Sequence, residues 1–192
     1  MSQQFTPNNP LPQEVPVPPE IAKFSPEVEA EIDRHLAKYP RKRSAILPVM
    51  FIVQREREGY LDAPGVAYIA DRLGIRITDV WEVATFYSMI NTEPVGKFHV
   101  QVCRTLSCKI LGAGEITRHC AERLGIKPGE TTPDKMFSLS EVECLGSCGT
   151  APMMQINFDF HENLTTAKVD EILDRCRDGS YTPATWDTVS RG

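Results

Sequence analysis

The chain has 192 residues, 41% of them apolar and 24% charged, with a formal net charge of −5. That suffices for one large domain or two small ones with real cores. The acidic balance leaves no basic face on which to argue nucleic-acid binding, and no apolar run approaches the roughly 20 residues a membrane-spanning helix needs, so no direct membrane insertion is expected.

The first twenty residues hold six prolines and no Arg or Lys, unlike a signal or transit peptide, so the expected location is the cytoplasm. There clustered cysteines read as metal ligands before disulfides, with a secreted, disulfide-bonded chain as the open alternative. Residues 1–20 themselves read as an extended Pro-rich arm or a disordered tail, because proline fixes φ and removes a hydrogen-bond donor.

A helical region is expected over 21–92. Ser25 is an N-cap with Pro26 behind it, and Val28, Ile32 and Leu36 recur every four residues until Pro40 stops the pattern. Arg41-Lys42-Arg43 reads as a solvated approach to the next helix rather than an anion site. Ser44 to Glu58 predicts that second helix, with Leu47, Phe51 and the Val53–Gln54 region on successive turns and Gly59 as the stop. Ala63 to Leu73, closed by Gly74, is a third, and Thr78 to Ile90, with Val80, Val83, Ala84 and Tyr87 in a stripe, a fourth. Four short helices predict a four-helix bundle, and Trp81, Phe86 and Tyr87 read as core, with partner anchors as the rival.

After Pro94 the period changes. Phe98, Val100 and Val102 alternate with His99 and Gln101, which predicts a strand delivering Cys103 at its end. A loop through Cys108 leads to a helix over Gly112 to Leu124, with Ile116, Cys120 and Leu124 on one face. Met136 to Val142 predicts a strand running into Cys144. Met153 to Phe158 and Glu162 to Leu164 predict a hairpin turning at Asp159 to His161, and Thr166 to Arg177 a last helix stopped by Gly179. The expected fold class is therefore α+β: a helical bundle, then over 96–179 an α/β layer in which two helices cover a mixed sheet, and a tail over 180–192 whose Trp186 covers the domain or meets a partner.

Four cysteines carry the chemistry. Cys103 and Cys108 form Cys-x4-Cys, and Cys144 and Cys148 form Cys-x3-Cys, each pair following a strand. Two such pairs at one end of a sheet make a four-thiolate pocket for a 2Fe-2S cluster or for zinc. Structural zinc sites favour Cys-x2-Cys, so the gaps of four and three favour the cluster, while zinc stays open. Cys120 and Cys176, at helical spacing among apolar residues, read as core. Gly146 and Gly149 beside the second pair, and Gly112 and Gly114 after the first, would let backbone N–H groups approach sulfur, which raises a reduction potential. Arg104 and Lys109 read as solvated charges.

Other chemistries are poorly supported. Neither pair is the Cys-x2-Cys of a dithiol oxidoreductase, and no His lies within either cysteine segment to serve a Rieske centre. Gly112-Ala113-Gly114 has Thr117 where a dinucleotide fingerprint needs its third glycine. Without a phosphate loop, activated nucleophile or paired carboxylates, the chain is not expected to oxidise NADH alone.

Glu82-Val83-Ala84-Thr85-Phe86-Tyr87, Val102-Cys103 to Cys108, and Val142-Glu143-Cys144-Leu145-Gly146-Ser147-Cys148-Gly149-Thr150-Ala151-Pro152 together closely resemble the NuoE-type subunit of respiratory complex I, NADH:quinone oxidoreductase. The resemblance runs from about Ser25 to about Gly179. It implies a thioredoxin-like ferredoxin domain holding one 2Fe-2S cluster, with Cys103 and Cys108 on one iron and Cys144 and Cys148 on the other.

It further implies docking on a NuoF-type flavin subunit that binds FMN and NADH, further peripheral-arm partners, and a place at the cytoplasmic face of a bacterial inner membrane. The cluster would exchange electrons with the flavin. The Arg104-Thr105-Leu106-Ser107 stretch departs from the commoner Asn- and Pro-containing versions, which touches the potential rather than the ligands. The rivals are the equivalent subunit of an NAD-linked hydrogenase or formate dehydrogenase, and a zinc-stabilised assembly module.

Overall fold

A serine, a proline and two buried aliphatic residues set the first helix of the computed structural model, which describes residues 20–184. Ser25 Oγ accepts the Val28 N–H at 3.4 Å, Pro26 takes the first turn where no N–H is needed, and Val28 and Ile32 turn inward, giving α1 over Pro26–Leu36. The proline-rich head and Trp186 lie outside the described residues. The described residues fall into two compact units, one up to Pro94 and one from Val95.

In the first unit the second helix begins later than its pattern predicts. A 3-10 turn occupies Lys42–Ala45, α2 runs Ile46–Glu56, and the positive φ of 61° at Glu58 closes it. Pro48 is the third residue of α2, still within the turn whose N–H groups lack intrahelical acceptors. Val49, Met50, Phe51, Ile52 and Val53 are all buried, so α2 is apolar all round and packs against α1, α3 and α4. The third helix, α3, spans Ala63–Leu73 as predicted, with Asp62 accepting the Gly65 N–H at 2.9 Å and Gly74 closing it at φ 67°.

The fourth helix, α4, spans Ile77–Phe86 and stops short of the expected Ile90. The buried Gln54 side chain accounts for the early end: its amide donates to the Met89 carbonyl at 3.2 Å and accepts the Asn91 N–H at 2.7 Å, drawing the chain back onto α2. The aromatic expectation is corrected with it. Val80 and Ala84 are core, but Tyr87 is exposed, Phe86 is 80% exposed and Trp81 is half-buried, because the stripe ends where the helix does.

The second unit is a four-stranded mixed sheet in the order β2-β1-β3-β4, with β1 over Phe98–Cys103, β2 over Phe137–Val142, β3 over Met154–Ile156 and β4 over Asp159–His161. The first two strands run parallel, while β3 is antiparallel to both β1 and β4. Alternation decides the faces: Phe98, Val100, Val102, Phe137, Leu139, Met154 and Ile156 join one core with residues of α6 (Ala113–Leu124) and α7 (Thr166–Asp178). These two helices pack side by side over that face, as predicted. The other face carries His99, Gln101, Ser138, Ser140 and Gln155, and polar groups on it pair with one another, as in the 2.8 Å bond between His99 Nε2 and Ser140 Oγ.

Two details differ from the sequence reading. The stretch after Cys103 is a five-residue helix, α5, over Leu106–Ile110, not a loop. The hairpin turns at Asn157–Phe158, two residues earlier than expected, because Asn157 supplies a positive φ of 54° and Ile156 pairs with Asp159. Asp159–His161 is then strand rather than turn. Among the described residues no helix is long and apolar enough to cross a membrane.

Candidate metal centre

Parallel pairing of β1 with β2 places the carboxyl ends of both strands at one edge of the sheet, and all four cysteines of interest follow from there. Cys103 is the last residue of β1, opposite Val142, the last residue of β2, and Cys144 stands two residues beyond. Loops at strand ends are where a rigid scaffold presents functional groups.

The first loop turns back at Thr105 into α5, whose first turn carries Cys108 inward, and both thiols are buried. Thr105 is the N-cap of α5 but does not cap it with its hydroxyl, which instead lies 3.3 Å from Cys103 Sγ. Leu106 and Ile110, on the outer side of this short helix, are 75% and 73% exposed, and Leu111 extends the apolar rim.

The second loop depends on Gly146. Its φ of 86° is open to glycine at no steric cost, and it aims the Gly146 N–H at Cys144 Sγ, 3.4 Å away. The turn returns Cys148 Sγ to within 3.7 Å of Cys144 Sγ. Unlike the first pair, these two thiols are exposed.

Hydrogen bonding biases the thiols in pairs. Burial raises the Cys103 thiol, but bonds from the Thr105 hydroxyl and N–H, the Leu145 N–H and Cys108 outweigh it and hold Cys103 below the ordinary thiol value. Cys108 is pushed up by burial and by donating to Cys103, partly offset by the Met153 N–H. In the second pair the Gly146 N–H, then Cys148 and the Thr105 hydroxyl, lower Cys144, whereas Cys148 is raised by its bond to Cys144 and eased by Ser107. Leu145 and Thr105 therefore each reach across from one pair to the other.

This donor set fits a two-iron group: four thiols in two pairs, with backbone N–H and hydroxyl donors aimed at sulfur, where a cluster's negative charge must be met.

The predicted helpers divide. Gly146 approaches a sulfur as expected. Gly112, at φ 98°, instead precedes α6 as its N-cap, and Arg104 is engaged with Glu143 at 2.6 Å in an exposed pair. Cys120 and Cys176 are buried in the core, where burial pushes their thiols up to about 12 and about 11. The residues that sequence reasoning missed are Thr105, Ser107 and the main chain of Leu145 and Met153; only the hydroxyl-rich spelling of the first loop hinted at them.

A family model described as thioredoxin-like [2Fe-2S] ferredoxin matches residues 32–177. The chain belongs to that family. It is 48% identical to the E-type subunit of NADH-quinone oxidoreductase from Rickettsia bellii, over 74% of this chain and 86% of the relative. It is 46% identical to the second E-type subunit of the same enzyme from Rhizobium meliloti, over 77% and 87%. A mitochondrial NADH dehydrogenase [ubiquinone] flavoprotein 2 of Dictyostelium discoideum is 42% identical over 83% and 65%. These relatives bear out the resemblance to the complex I subunit. Among solved structures, an NAD+-reducing [NiFe]-hydrogenase in its air-oxidised state shares the fold at a TM-score of 0.59 and 18% identity, over 68% of this chain and 23% of that one.

Proposed function

We propose that this ferredoxin is the electron-transfer subunit of the NADH dehydrogenase module of respiratory complex I. Cys103, Cys108, Cys144 and Cys148 hold one 2Fe-2S cluster, and a NuoF-type flavin subunit binds the FMN and NADH with which it exchanges electrons. The observation that carries this reading is the placement of both thiol pairs just beyond the carboxyl ends of the parallel strands β1 and β2, with N–H and hydroxyl donors, Thr105 and Leu145 among them, directed at sulfur.

When bound, such a cluster takes up and returns one electron at a time. The chain's own residues do the rest. The first pair is held rigidly between β1 and α5, the second faces solvent where an electron can pass to a partner, and the donors to sulfur offset added negative charge. The apolar rim of Leu106, Ile110 and Leu111 supports coverage of this end by a partner. In a bacterial cell the chain would then sit at the cytoplasmic face of the inner membrane, held there by the complex.

The hydrogenase fold match supports a second reading, the equivalent subunit of an NAD-linked hydrogenase. Affinity purification of the chain from its own cells separates the two by whether flavin and quinone-side subunits or a nickel subunit accompany it. Addition of NADH to the purified complex should bleach the cluster's visible absorbance and give a one-electron paramagnetic signal. A colourless chain containing one zinc would sink both readings.

A further inference from the structure

The first thiol pair is fixed by the core, but the second is exposed and sits in a loop, so its spacing needs support from elsewhere. Two hydroxyls of that loop converge on one carboxylate. Ser147 Oγ donates to Glu162 Oε1, Thr150 Oγ1 lies 2.6 Å from the same oxygen, and the two hydroxyls are 2.8 Å apart.

Glu162 follows β4 directly and belongs to no part of the ligand loop. Main-chain bonds close the same seam: the Asn163 N–H donates to the Thr150 carbonyl at 2.7 Å and the Leu164 N–H to the Pro152 carbonyl at 2.9 Å. From the far side Lys168, in the first turn of α7, donates to the carbonyls of Glu162 and Asn163 at 3.2 and 3.3 Å. Glu162 is thus gripped by the start of α7 and grips, in turn, the residue between Gly146 and Cys148.

We propose that Glu162 is a positioning residue whose carboxylate latches the Cys144–Cys148 loop to the β4–α7 junction and places a negative charge beside that thiol pair. The proposal rests on the reading that the four thiols hold a cluster. Its two effects are separable. Glutamine keeps an oxygen that can accept from Ser147 and Thr150 but removes the charge, whereas alanine removes both. Losing the charge makes an added electron easier to accept, and losing the acceptor frees the loop.

The test uses the full chain with its cluster assembled anaerobically, comparing wild type, Glu162→Gln and Glu162→Ala by iron and sulfide content, midpoint potential, rate of cluster loss to a chelator, and thermal unfolding. The expected result is that Glu162→Gln holds two irons at an upward-shifted potential. Glu162→Ala loses its cluster several-fold faster, or fails to hold it, while the Gln variant unfolds as wild type does. Wild-type potential in Glu162→Gln together with wild-type cluster loss in Glu162→Ala would overturn the latch alone. A wild-type chain that binds no iron would overturn the cluster reading beneath it.

Discussion

Cys103 and Val142 face each other as the closing residues of two parallel strands. That register brings Cys144 to the edge where Cys103 and Cys108 already stand, and it separates these four thiols from Cys120 and Cys176, which lie among the helices of the same core.

The separation predicts a split among cysteine variants. Cys103→Ser, Cys108→Ser, Cys144→Ser and Cys148→Ser should each lose or alter the cluster. Cys120→Ala and Cys176→Ala should keep two irons per chain at a stability cost of about 1–3 kcal/mol. Iron analysis and visible absorbance check both halves; a cluster missing from both core variants, with the proteins still folded, would contradict the assignment.

Gly96 lies where the chain enters the second unit and passes close to β2. A methyl group on it would meet the Phe137 main chain at 2.6 to 2.9 Å, closer than real contacts allow, while the Gly96 N–H donates to Ser138 Oγ at 2.7 Å. Gly96→Ala must therefore displace backbone. We expect a loss of about 1–3 kcal/mol in denaturant unfolding, and an unchanged midpoint would show that the approach relaxes freely.

Much of this was legible from spacing. The stops at Gly74, Gly125 and Gly179 each take a left-handed φ at a helix end, and strict alternation after Pro94 marked β1. The cysteine pairs showed the site, and the resemblance supplied its chemistry. What stayed hidden was tertiary or short: α5 has too few residues for a period, and β4 lies at the sheet edge with half-exposed side chains, so its polar sequence looks like a turn. No local pattern ties Glu162 to Ser147, because a strand pair and a hairpin bring them together.

Gln54 is the polar residue inside the apolar run of α2, and its pairing with residues 89 and 91 gives it a measurable role. Gln54→Leu keeps the volume but leaves the Met89 carbonyl and the Asn91 N–H without their partner. The expected cost is about 1–3 kcal/mol, with faster amide exchange at residues 87–91 than elsewhere in the helical unit. Uniform exchange across the helices would show that Gln54 does not hold this segment.

His99 gives the chain a specific acid sensitivity. Burial on the polar face of the sheet pushes its imidazole down to about 4 from an ordinary 6.5. Above the unfolded value the ring is neutral in both states and contributes no pH dependence. As pH falls below about 6.5 the unfolded chain binds a proton that the folded chain refuses, so stability is lost until about pH 4, where the folded ring also protonates. The whole window is worth at most about 3–4 kcal/mol. His99→Gln can keep a hydrogen bond to Ser140 without titrating, so it should lose less stability than wild type between pH 7 and about 4.5. Carboxylates and the remaining histidines act alike in both proteins and cancel in the comparison. Urea unfolding of the two chains side by side across that range decides the matter: converging stabilities with falling pH support a neutral His99 in the folded chain, and parallel curves refute it.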